Sequence, residues 1–261
     1  MKIHRTMLLV CMTGLCLAGA RTASATVATA SLDWSNLEVF ALGLPNQTTP
    51  TISLSQQSTA WSTNASTIND SNDSHSHNAF NWTSALDVSS VTPRATGEAF
   101  ASSSVISTNA SALQSTGSDP SLLNQSTASL TRQALVTVSG PSAVIFSVPY
   151  SMSVDDQPFD PFNRTMAGVS GSASFNPFNG TAFDSTSRSF NLDSAFQGPS
   201  TQNGTLFFGL VVDGAGTINV GFSAFTSATA PDPVPEPATV WSLLAGVAAT
   251  GFMFRRRAMS R

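Results

Sequence analysis

The chain has 261 residues, of which 41% are hydrophobic and only 10% charged. Between residues 26 and 233 lysine is absent and four arginines stand against fourteen carboxylates, a net charge of −10 that repels nucleic acid and anionic lipid. Both cysteines, Cys11 and Cys16, precede that stretch, so no disulfide holds it together.

Residues 1–25 read as a signal peptide. Lys2, His4 and Arg5 form a basic start, 7–18 an apolar core, and Ala23, Ser24 and Ala25 an A-x-A cleavage site, so the mature chain is expected to begin at Thr26. Arg21 is unusual so close to a cut and leaves cleavage after Ala20 as the alternative. Neither cysteine follows the small residue that a lipoprotein cut needs.

Residues 26–233 suffice for one β domain with its own core. Ser and Thr make up 62 of these 208 residues, and their short hydroxyl side chains compete for backbone groups and depress helix formation. A first strand is expected within 31–44, where Trp34, Leu37, Val39, Phe40 and Leu42 recur before Pro45. From about 48 to 129, Ser, Thr, Asn and Ala surround the single aromatics Trp61, Phe80, Trp82 and Phe100, a pattern of long loops or weakly marked strands.

From residue 134 the pattern sharpens. Leu135, Val136 and Val138 precede a break at Gly140 and Pro141, after which Val144, Phe146, Val148, Tyr150, Met152 and Val154 alternate as a half-buried strand does. Pro149 falls on the opposite register and predicts an edge strand or a bulge. Further strands are expected over 167–175, 205–212 and 216–225, the last two joined by a hairpin turn at Asp213, Gly214, Ala215 and Gly216. The expected fold class is all-β: an antiparallel β-sandwich or jelly-roll-like body with Ser/Thr/Asn-rich loops, flanked by the signal peptide and one C-terminal transmembrane helix.

Candidate chemistry is sparse. Phe159, Asp160, Pro161, Phe162 and Asn163 repeat as Phe175, Asn176, Pro177, Phe178 and Asn179, two Asx-Pro turns whose rings are expected in the core, with sugar-stacking platforms as the alternative. His75 and His77, near Asp70 and Asp73, would face one side of a strand as metal ligands or a catalytic base do, but in so polar a segment a solvated role is expected. Asp155, Asp156 and Asp160 supply the hard oxygens that calcium prefers, without an EF-hand spacing. No G-x-S-x-G elbow accompanies the abundant serines, so no catalytic residue is assigned and no enzyme or cofactor is expected beyond that calcium candidate. Ten of the fifteen Asn in this region, at 46, 64, 69, 72, 81, 109, 124, 163, 179 and 203, open an Asn-x-Ser/Thr triplet, as turn residues or glycan acceptors.

The last 28 residues form a tripartite tail: Pro235, Glu236 and Pro237, the apolar run 238–254, and Arg255, Arg256 and Arg257. The run is 17 residues without an ionisable group, about 25 Å as helix and just long enough to span hydrocarbon. The arginines belong on its cytoplasmic side, which leaves the body outside the cytoplasm. Pro235 and Pro237 hold a stiff extended strip suited to an enzyme at the membrane surface. On these three features in order, the chain resembles the PEP-CTERM proteins, exported bacterial proteins whose tails are processed by exosortase. The resemblance implies that Pro235, Glu236 and Pro237 form the recognition motif and Arg255, Arg256 and Arg257 the retention signal. It also implies a transient inner-membrane anchor, release to the envelope surface or matrix, and association with exopolysaccharide or biofilm. A calcium-assisted carbohydrate-binding sandwich is the alternative function.

Overall fold

A computed structural model describes residues 25–45, 49–67, 71–113, 123–155, 163–178 and 184–231. Thirteen strands follow in order: β1 (Ala25–Asp33), β2 (Glu38–Gly43), β3 (Ile52–Thr67), β4 (Ser71–Ala79), β5 (Leu86–Thr92), β6 (Ala95–Ala101), β7 (Val105–Leu113), β8 (Leu123–Val138), β9 (Ser142–Asp155), β10 (Arg164–Pro177), β11 (Asp184–Asp193), β12 (Ser200–Val212) and β13 (Gly216–Pro231). A 3-10 turn, Trp34–Asn36, separates β1 from β2, and a one-turn helix, α1 (Ser194–Gln197), leads from β11 to β12.

The strands form two antiparallel sheets, as the all-β expectation requires. Sheet A runs β12-β9-β1-β7-β6-β5, with β2 also paired to β9, and sheet B runs β11-β10-β13-β8-β3-β4. Alternation drives the pairing, because each strand turns one set of side chains toward the other sheet and the other set outward. Inward residues of β9, from Val144 to Val154, meet Val136, Val169, Ile218, Val220 and Phe222 of sheet B in one buried cluster. Fully burying one such aliphatic or aromatic side chain contributes roughly 1.5–3 kcal/mol.

Two expectations are corrected. The strand expected within 31–44 is broken, since β1 ends at Asp33, whose carboxylate accepts from Ser35 Oγ at 2.6 Å and Asn36 Nδ2 at 2.7 Å and folds the 3-10 turn. These bonds, the one from Ser35 foremost, hold the Asp33 carboxyl below the usual carboxylate range. Pro149 lies on neither an edge strand nor a bulge: β9 is flanked by β12 on one side and by β1 and β2 on the other, and its register with β12 is unbroken. On the second side, β1 pairs with residues 150–155 and β2 with 142–147. Pro149 stands in the gap between them, where a residue without an N–H donor is tolerated.

The 48–129 stretch is strand for most of its described length, the weaker pattern reflecting small inward residues such as Ala65, Ala95, Ala99 and Ala110. Arg132 on β8 points inward and is fully buried. Its guanidinium lies 4.9 Å over the ring of Trp34, and Nη2 donates to the Ser102 carbonyl at 2.8 Å. Burial pushes its pKa down to about 10, so it remains charged at neutral pH with no carboxylate beside it among the described residues. Trp34 in turn meets Trp82 and Phe222 edge-on at 4.9 and 5.1 Å.

Removing a buried charge while keeping its volume is neutral or stabilising, whereas truncation leaves a void. Arg132→Met is therefore expected to leave the unfolding free energy unchanged or raise it by up to ~3 kcal/mol, and Arg132→Ala to lower it by about 2–4 kcal/mol, both measured by urea denaturation of the purified protein. Gly171 of β10 faces the Phe208 ring so closely that a Cβ there would overlap it. Gly171→Ala is expected to cost about 1–3 kcal/mol by overpacking, and Phe208→Leu in that background to recover part of the loss.

Candidate functional site

Both ends of the described body lie at one pole. Ala25 pairs with Leu113 and Pro231 with Leu123, and the Asn124 amide donates to the Leu113 carbonyl at 2.7 Å between them. Small side chains build this pole: Ala110, Ala112, Ala228 and Ala230 form a separate buried cluster, and the Thr26 hydroxyl donates to the Ala112 carbonyl at 3.1 Å. The sheets approach so closely here that a Cβ on Gly97 would stand 2.6 Å from the Thr127 carbonyl oxygen. From this pole the chain continues into residue 232 and the tail.

The expected sorting and processing residues lie mostly beyond what the structure describes. Ala23, the motif residues Pro235, Glu236 and Pro237, the apolar run 238–254 and Arg255, Arg256 and Arg257 are outside the described residues, and Ala25 opens β1. Among the described residues no helix is long and apolar enough to cross a membrane.

The histidines sit on edge strand β4. Alternation places Asp73, His75 and His77 on the face that looks toward β5. Asp73 Oδ1 lies 2.9 Å from His75 Nε2, and Oδ2 accepts the Val91 N–H at 2.9 Å, so this carboxylate ties the edge of sheet B to the edge of sheet A. His77 stacks obliquely on Trp61 at 5.2 Å. Among the described residues no serine hydroxyl bonds either imidazole, and no three His, Cys, Asp or Glu side chains converge as a metal-ligand group. Of the calcium candidates, Asp155 ends β9 in an exposed position, while Asp156 and Asp160 lie outside the described residues.

The first Phe-Asx-Pro-Phe copy, Phe159 to Phe162, is likewise outside. In the second, the expected turn is corrected to strand, because Asn176 and Pro177 pair with Thr217 and Gly216 of β13. Phe175 is buried over Gly216, but Phe178 is 60% exposed and not a core ring. Among the Asn-x-Ser/Thr positions, Asn124 and Asn163 are fully buried and unsuited to carry a glycan, whereas Asn72, Asn81 and Asn203 are exposed.

One feature escaped the sequence reading. Between Ser55 and Ser58 the register of β3 against β8 shifts, and Gln56 adopts a φ of 48°. Beside this bulge the buried Trp82 indole N–H donates to two backbone carbonyls, Ser58 O at 3.1 Å and Gln133 O at 2.9 Å. A tryptophan in a Ser/Thr-rich segment was the available signal, since a buried indole N–H usually finds an acceptor.

No curated protein matches the chain. A solved structure, that of Momordica charantia 7S globulin, shares 10% identity over 79% of this chain and 68% of its own, and its TM-score of 0.12 carries no argument. Residues 233–257 match the family model described as the PEP-CTERM protein-sorting motif. The chain thus carries a PEP-CTERM sorting tail, the mark of an exported protein sorted by exosortase to the cell envelope or surface.

Proposed function

We propose that this is a non-catalytic surface or matrix protein, cleaved after Ala25, held transiently in the inner membrane by 238–254, and released into an exopolysaccharide-rich layer once its tail is processed. The single observation that carries the reading is the match of residues 233–257 to the PEP-CTERM sorting motif, which starts two residues after β13 ends at Pro231. A cysteine-free body that folds by alternation alone suits an extracellular setting, since its stability does not depend on redox conditions. In this reading Glu236, between two prolines, is the recognition residue, and the three arginines resist translocation until the cut is made.

Glu236→Ala is expected to abolish tail processing and leave the protein in the inner-membrane fraction with its C-terminus intact. Mass spectrometry of C-terminal peptides from envelope and culture medium of the native host reads the outcome. Processing and release at the rate of the unaltered protein would overturn the proposal.

A further inference from the structure

The outer face of sheet B contains a groove of about 600 Å³ that neither the tail nor the core packing accounts for. It crosses β3, β8, β13, β10 and β11, about 19 Å at roughly 4.8 Å per strand. One row of its lining is set by register: Ser187 beside Ser172, Ser172 beside Gly221, Gly221 beside Gln133, and Gln133 beside Ser58. In the adjacent row Asn219 sits between Ser174 and Leu135. No residue lining the groove is charged.

Two features set this groove apart from an ordinary solvated face. Gln56 lines it from a left-handed backbone conformation that a residue with a side chain seldom adopts, at a bulge that redirects the strand. That bulge is fixed from beneath by the two hydrogen bonds of Trp82, so the surrounding structure holds the strained residue in place. Bulges are over-represented beside active sites, where they redirect a side chain.

We propose that this groove binds a neutral polyhydroxylated ligand, a glycan chain without carboxylate or sulfate groups, through Gln56, Gln133, Asn219 and the serine hydroxyls. Carboxamides and hydroxyls each donate and accept, which matches sugar hydroxyls that do the same. An ionic ligand finds no counter-charge here. A peptide that adds a strand pairs along a sheet edge, whereas the groove runs across five strands and meets the edge only at its two ends, on β11 and on the part of β3 beyond its pairing with β4. The inference deepens the matrix-protein reading and rests on it for biological sense, but tail processing is read by mass and groove binding by the folded body, so each fails separately.

Affinity electrophoresis of the protein purified from its host, in native gels containing dextran, hydroxyethylcellulose or alginate, tests it. At least one of the two neutral glucans should retard the protein, and alginate should not. Gly221→Ile fills the groove floor without crowding the fold, since a Cβ there meets nothing closer than 3.4 Å. That variant and the double variant Gln133→Ala, Asn219→Ala should each raise the apparent Kd at least fivefold with an unchanged urea midpoint. Absence of retardation by both neutral glucans, retardation by alginate alone, or equal retardation of all variants would overturn the proposal.

Discussion

The body depends on one cluster of rings around a buried cation. Trp34, displaced from the strand pattern by the turn that Asp33 opens, offers its face to Arg132 and meets Trp82 and Phe222 in T-shaped contacts. Each contact in isolation is modest, roughly 0.5–2 kcal/mol for an aromatic pair or a cation over a ring. Their weight lies in position: Trp34 comes from the β1–β2 junction of sheet A, Trp82 from the connection between the sheets, and Arg132 and Phe222 from the centre of sheet B. The same Trp82 holds the β3 bulge open, so the geometry of the groove on the outer surface is anchored in the core beneath it. Core packing and surface recognition here share a residue.

Away from that cluster the inter-sheet gap narrows because the side chains shrink. Phe146 and Phe208 stack at 5.2 Å, whereas the opposite pole is filled mainly by alanine, threonine, serine and asparagine between its sheets. A narrow pole buries less apolar area per residue and yields less hydrophobic stabilisation, and it is the pole from which the chain departs toward the tail. Its hydrogen bonds offset part of that deficit. Thr26, Asn124 and Ser126 each donate a side-chain bond to a backbone carbonyl of β7, fixing β1 and the start of β8 where fraying begins.

Period-two alternation of large aliphatics made β9, β10, β12 and β13 legible in the sequence, because for Val144 to Val154 hydropathy and pleat coincide. β1, β3, β6, β7 and the first half of β8 were obscure because alanine, threonine and serine take many of the inward places and serine many of the outward ones, a contrast too small for hydropathy to register. Arg132 belongs to the same problem: charge predicts exposure, and only tertiary stacking on Trp34 reverses it. The proline at 149 misled because its tolerance depends on a gap between two other strands, a property of the assembled sheet. The tail was readable in full order because a sorting motif acts as a linear segment, with its information in adjacent residues.

Charge divides the two outer faces. Asp33, Glu38, Asp87, Glu98 and Asp155 occupy outward positions of sheet A, beside the exposed Phe40, Leu42 and Phe207. Outward positions of sheet B carry mostly serine, threonine, asparagine and glutamine among a few apolar residues such as Leu135, Met166 and Phe225, with charge confined to Arg164 and Asp193, which pair with each other near the narrow pole. In a body with a net charge of −10, a face whose one carboxylate is paired with an arginine is an arrangement that solubility does not require, since acidic side chains would serve solubility better. What a neutral hydroxyl and amide surface gains is reach: an uncharged polymer approaches it without displacing counterions, and its contacts persist at salt concentrations that would screen an ionic interface. That independence from ionic strength is the property a protein exported beyond the cytoplasm needs, where the medium and not the cell sets the salt.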